Sequence, residues 1–147
     1  MKKILVVEDH KDTCLWIVAV LRQCGYQAME AGDGAIAVRM AHREKPDLIL
    51  LDLHLPAGGG EFVMESLQRD PETSVIPIVI MTGDPNVDRS HMRSKGAVAV
   101  FCKPMDVHVF LNTILSALEP GELPREGAIP IRGASLTMAR AKDVLTA

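Results

Sequence analysis

Aromatic side chains are scarce in this chain: 3% of 147 residues, with one Trp, one Tyr and three Phe. Any core must therefore be aliphatic, built from Val, Ile, Leu, Met and Ala. Long apolar runs are also missing. The start, Met1-Lys2-Lys3, resembles a secretory leader, but the apolar run behind it stops after four residues at Glu8-Asp9. That is too short for such a leader, and nothing approaches the ~20 apolar residues of a membrane span. Cysteine is limited to Cys14, Cys24 and Cys102, an odd set without CxxC spacing. They read as buried thiols in a reducing cytosol rather than a disulfide framework. A redox sensor would instead need a depressed thiol pKa. The formal charge is -3 and the pI about 5.9, with no basic patch. This argues against direct binding of nucleic acid.

What the chain does have is a regular alternation. Short apolar runs at Ile4–Val7, Leu48–Leu51, Ile76–Met81 and Ala97–Cys102, with a weaker one at Tyr26–Ala31, alternate with amphipathic stretches. The helical stretches are Lys11–Cys24, Gly34–Arg43, Gly60–Gln68, Asn86–Lys95 and Asp106–Leu118. In the first, Cys14, Ile17, Val18 and Leu21 share a face and Gly25 marks the stop. The fourth is weak, and the fifth is the clearest, with Val107, Phe110, Leu111, Ile114, Leu115 and Leu118 at helical spacing. Such alternation predicts an α/β fold, a doubly wound five-stranded parallel sheet with helices on both faces, within residues 1–118. Residues 119–147 differ. Their Pro/Gly content and balanced charges (four basic and four acidic residues) read as a linker, with Ser135–Leu145 a short helical candidate or a disordered tail.

The strand ends carry the chemistry. Glu8-Asp9 ends the first strand, Asp52 the third, Thr82 the fourth and Lys103 the fifth. In a parallel sheet these ends share one edge, where open α/β sheets place their sites. Crowded acids repel, and a hard divalent cation relieves that repulsion. Oxygen donors with few sulfur or imidazole partners favour Mg²⁺. A carboxylate so activated can attack phosphorus. Lys103 can then neutralise phosphoryl oxygens, and Thr82 can supply a hydroxyl donor. A Lys or Thr near a strand end is ordinarily a solvated or turn residue. The convergence of complementary groups from separate strands is what makes the set specific.

The sequence resembles the receiver domain of bacterial response regulators over residues 1–118. The resemblance is carried by Ile4-Leu5-Val6-Val7-Glu8-Asp9, by Pro46-Asp47-Leu48-Ile49-Leu50-Leu51-Asp52-Leu53-His54-Leu55-Pro56 with Gly60, by Met81-Thr82-Gly83, by Gly96-Ala97 and by Lys103-Pro104. It implies a flavodoxin-like strand order of 2-1-3-4-5, an order the general rule for doubly wound sheets already exemplifies with a member of this family. It implies that Asp52 is phosphorylated, that Asp9, Asp52 and the backbone carbonyl of His54 ligate Mg²⁺, and that Glu8 acts through water. Lys103 and Thr82 would contact the phosphoryl group, and the Lys103-Pro104 peptide would be cis. The expected donor is a sensor histidine kinase or histidine phosphotransfer protein. The expected role is a cytoplasmic phospho-acceptor that switches partner binding, with only self-directed phosphotransfer and slow autodephosphorylation, as a monomer or phosphorylation-dependent dimer.

Three features depart from the pattern. The stretch between Thr82 and Gly96 is one residue shorter than usual. Position 100 is Val where the family usually has Tyr or Phe. His54, two residues after the acceptor, sits where side chains affect water access, although a plain surface role is the simpler reading. The aromatic at position 100 normally swings into space vacated by the threonine; Val100 is too short and stiff for that. Phe101 should face the other side of the sheet, so switching is expected to run through the loop from Thr82 and the fourth helix. A phosphohydrolase with an aspartyl-phosphate intermediate is a rival, but it wants an acid where His54 stands. A degenerate docking module should lack an acid, Thr82 or Lys103, and none is missing. A receiver cut from a longer regulator remains an alternative. His10 beside the acids has no His partner at the spacing of a zinc or iron site.

Overall fold

The computed structural model describes residues 1–56, 59–104 and 106–118. The tail reading and the helical candidate at Ser135–Leu145 lie outside them. The chain alternates strictly: β1 (Lys3–Val7), α1 (Lys11–Gln23), β2 (Gln27–Ala31), α2 (Gly34–Glu44), β3 (Leu48–Asp52), α3 (Gly59–Arg69), β4 (Ile78–Thr82), α4 (Arg89–Ser94), β5 (Ala97–Cys102) and α5 (Val107–Leu118). All four strand pairings are parallel and the order is β2-β1-β3-β4-β5. This is the five-stranded doubly wound sheet that the alternation predicts.

Two elements begin two or three residues later than the sequence suggests. The fourth strand begins at Ile78 rather than Ile76, after Pro77, which lacks the N–H a ladder needs. The fourth helix begins at Arg89 rather than Asn86, because Asp88 is its cap and accepts the His91 N–H at 3.0 Å.

Side-chain alternation splits the core into two layers. Ile4, Val6, Leu48, Leu50, Val79 and Met81 face α1 and α5. Leu5, Val7, Ile49, Leu51, Ile78 and Ile80 face α2, α3 and α4. Four of the five aromatics gather in the first layer, where Phe110 lies 6.4 Å from Trp16 and 5.7 Å from Phe101, while Phe62 is exposed on α3. Trp16 is buried although it falls outside the apolar face read from α1. Burying side chains of this size contributes roughly 1.5–3 kcal/mol each.

At the sheet edge, β5 carries a bulge. Ala97 pairs with Ile78 and Ala99 with Val79, which leaves Val98 opposite nothing and half exposed. The extra residue returns Val100 to the same layer as Ala97, buried with Met92. Phe101 packs in the opposite layer, as expected.

Candidate functional site at the carboxyl edge of the sheet

Parallel pairing brings Glu8, Asp9, Asp52, Thr82 and Lys103 to one edge because each follows or ends a strand of the same polarity. Asp52 pairs with Met81 and Thr82 with Cys102. Two backbone bonds lock the ends together: Leu53 N–H donates to the Met81 carbonyl at 3.0 Å, and Lys103 N–H to the Thr82 carbonyl at 2.7 Å. The start of α3 also closes on this edge. Gly60 N–H donates to the Leu53 carbonyl at 2.9 Å, and a Cβ on Gly60 would stand 2.5 Å from the Asp52 carbonyl oxygen. Only glycine permits that approach.

Ligand oxygens of Glu8, Asp9 and Asp52 lie within 4.8 Å of one another. Glu8 and Asp52 are buried and Asp9 is exposed. Lys103 is the cation among them. Its Nζ donates to Glu8 Oε2 at 2.8 Å, to Glu8 Oε1 at 3.0 Å and to Asp52 Oδ2 at 3.3 Å. The other oxygen of Asp52, Oδ1, accepts the His54 N–H at 3.0 Å. Thr82 is fully buried and its Oγ1 accepts the Asp84 N–H at 3.1 Å. The Lys103-Pro104 peptide is cis.

The electrostatics follow from crowding. Burial, and then the neighbouring Asp52 carboxyl, push the Glu8 pKa up from 4.5 to about 7 against the pull of Lys103. Burial disfavours the Lys103 charge, yet the Glu8 and Asp52 carboxylates outweigh it and hold its pKa above the ordinary lysine value. Among the described residues these three acids share the Lys103 ammonium, which leaves excess negative charge on their oxygen donors. That donor set suits a hard divalent cation such as Mg²⁺.

The sequence-predicted residues thus assemble, with qualifications for two of them. The His54 side chain is exposed, and it is the backbone of this residue, through its N–H to Asp52, that reaches the site. Val100 lies in the core below the edge rather than at the site. His10 caps α1, its Nδ1 accepting the Thr13 N–H at 3.4 Å, and does not join the acids. The two-oxygen grip of Lys103 on Glu8 was not foreseen. The signal for it was present, since Glu8 directly follows the apolar run Ile4–Val7 and must pair if it is buried.

Among the described residues a second group has ligand-type atoms in reach: His42, Asp70 and Glu72. His42 Nε2 is 3.4 Å from Asp70 Oδ2 and its Nδ1 is 3.8 Å from Glu72 Oε2, all on partly or fully exposed side chains. It ties the end of α2 to the turn after α3.

Comparison with known proteins agrees with this geometry. Residues 4–115 match the family model of the response regulator receiver domain. Protein PilH of Pseudomonas aeruginosa is 34% identical over 119 residues, covering 80% of this chain and 98% of that protein. The polar-differentiation response regulator DivK of Brucella anthropi is 31% identical over 118 residues, covering 80% and 96%. Among solved structures, the receiver domain of sensor histidine kinase PA1611 from Pseudomonas aeruginosa, with a magnesium ion in its active-site cleft, superposes with a TM-score of 0.70 at 31% identity, covering 78% of this chain and 94% of that one. The chemotaxis response regulator CheY4 of Vibrio cholerae shares the fold, with a TM-score of 0.75 at 24% identity, covering 80% and 99%. With the family match spanning most of the chain and the edge residues in place, this protein belongs to the response regulator receiver domain family.

Proposed function

We propose that Asp52 is the phospho-acceptor of this receiver. A carboxylate oxygen of Asp52 forms a bond to phosphorus as the bond to the donor breaks. The donor is a phosphohistidine on a sensor histidine kinase or phosphotransfer protein, and its imidazole leaves with the electron pair and takes a proton from solvent. Asp9, Asp52 and the His54 carbonyl would hold Mg²⁺, with Glu8 contributing through water. Bound there, the ion supplies charge neutralisation for the phosphoryl oxygens.

The chain's own groups account for the rest. The His54 N–H orients the Asp52 carboxylate. Lys103 sits 3.3 Å from Asp52 Oδ2, positioned to pair with a phosphoryl oxygen, and Glu8 keeps it extended across the edge. Thr82, one residue past the register partner of Asp52, offers a hydroxyl donor. The observation that carries the reading is Lys103 held between Glu8 and Asp52, a cation placed beside the one acid that ends the central strand. The transfer is self-directed and the product stays on the protein, so the output is a change in partner affinity rather than turnover. A reducing cytosol suits Cys14 and Cys24, whose thiols burial pushes up in pKa, Cys14 to about 11.

Acetyl phosphate with Mg²⁺ should add one phosphoryl mass to the wild type and none to Asp52→Asn. Equal labelling of the two proteins would overturn the assignment.

A further inference from the structure

Val100 is 5% exposed and packed in one cluster with Met92, and its short, β-branched side chain is too stiff to swing as an aromatic would. What joins Thr82 to the surface is polar. Thr82 Oγ1 accepts the Asp84 N–H at 3.1 Å. The Asp84 carbonyl lies 3.8 Å from the thiol of Cys102, which is the register partner of Thr82. Arg89, the first residue of α4, then reaches across to β5. Its Nη1 donates to the Val100 carbonyl at 2.7 Å and its Nη2 to Cys102 Sγ at 3.3 Å. An unbroken run of polar contacts therefore leads from the buried threonine to the start of α4.

The helix it reaches needs such support. Six residues are too few to hold a helix without tertiary anchors. The other anchors of α4 are the Asp88 cap, the buried Met92 side chain, and Lys95 bound to Glu61 and Glu65 of α3. Arg89 adds bonds to Cys102, the register partner of Thr82, and to a backbone carbonyl of the edge strand.

We propose that Arg89 is a strap that links phosphorylation to α4: it holds the helix against β5 in the unmodified protein and lets go when Thr82 engages a phosphoryl group on Asp52. The inference rests on Asp52 being the acceptor. A phosphoryl oxygen near Thr82 draws its hydroxyl, and the Asp84 N–H must follow or lose its acceptor. Displacing Asp84 shifts its carbonyl against Cys102, which Arg89 grips. A charge-assisted bond of 2.7 Å tolerates little misalignment. The phosphoryl group thereby favours the released state, as any switch requires.

The test pairs intact mass with hydrogen exchange of α4, with and without acetyl phosphate and Mg²⁺. Arg89→Met keeps the aliphatic stem and removes the donors, and Arg89→Lys returns one cationic donor. In the wild type, phosphorylation should speed exchange of the α4 amides roughly three- to tenfold, the size of the net loss of one hydrogen bond. Arg89→Met should take up the same phosphoryl mass yet exchange fast in both states, so the difference disappears. Arg89→Lys should recover part of it, and Val100→Ala should keep it. A labelled Arg89→Met protein with the wild-type difference would overturn the strap alone, as would its loss in Val100→Ala. Failure of the wild type to take up phosphate would instead overturn the acceptor reading, and the strap's trigger with it.

Discussion

Replacing Glu8 by Gln removes one negative charge from the carboxyl edge while keeping the side chain's size and one acceptor oxygen for Lys103. In the metal-free protein the Glu8 pKa is raised from 4.5 to about 7, by burial first and by Asp52 next, with Lys103 opposing. Between those two values the folded chain holds a proton that the unfolded chain has released. Stability from this group is therefore full below about pH 4.5 and is lost as pH rises through about 7. The interval corresponds to at most about 3 kcal/mol. Sharing of the charge with Asp52 and Lys103, and relaxation of the site, reduce the expected effect to about 1–2 kcal/mol. Gln does not titrate. Urea unfolding in chelator from about pH 5 to about pH 8 should show wild-type stability falling relative to Glu8→Gln by that amount. Added Mg²⁺ should stabilise the wild type more at the alkaline end, where the carboxylates are ionised and able to bind it. Parallel curves for the two proteins would refute the reasoning, because they would mean that Lys103 already holds Glu8 ionised at acidic pH.

The other expectations concern the metal, the packing and the tail. Asp9→Ala should weaken Mg²⁺ binding roughly tenfold or more by calorimetry, about 1.4 kcal/mol. Glu8→Ala should weaken it less, because both Glu8 oxygens are engaged by Lys103; the reverse ranking would reassign the ligands. Gly60→Ala should cost about 1–3 kcal/mol in denaturant unfolding and slow phosphoryl labelling, since its Cβ would stand 2.5 Å from the Asp52 carbonyl oxygen and 2.8 Å from Leu53 Cα. Truncation after Pro120 should leave the rate of labelling by acetyl phosphate unchanged; a large loss would make residues 119–147 part of the working fold.

The alternation of apolar runs and amphipathic stretches determined the sheet, its parallel sense and its helices, because a strand buried on both faces must be apolar throughout and a covering helix must be apolar on one side. With the sense known, Glu8, Asp9, Asp52, Thr82 and Lys103 had to meet, since like ends of parallel strands share an edge. The direction of Phe101 was equally legible, as side chains alternate along a strand. Other features belong to the tertiary structure alone. Lys103 grips Glu8 across 95 residues of chain, and no local pattern says which acid wins an ammonium lying between two. Glu8 is pushed towards neutrality by burial, a property of the assembled core rather than of the segment it sits in. The bulge at Val98 and the reach of Arg89 from α4 to β5 depend on how short elements happen to abut. Such contacts arise from packing between segments distant in sequence, so periodicity within either segment carries no trace of them.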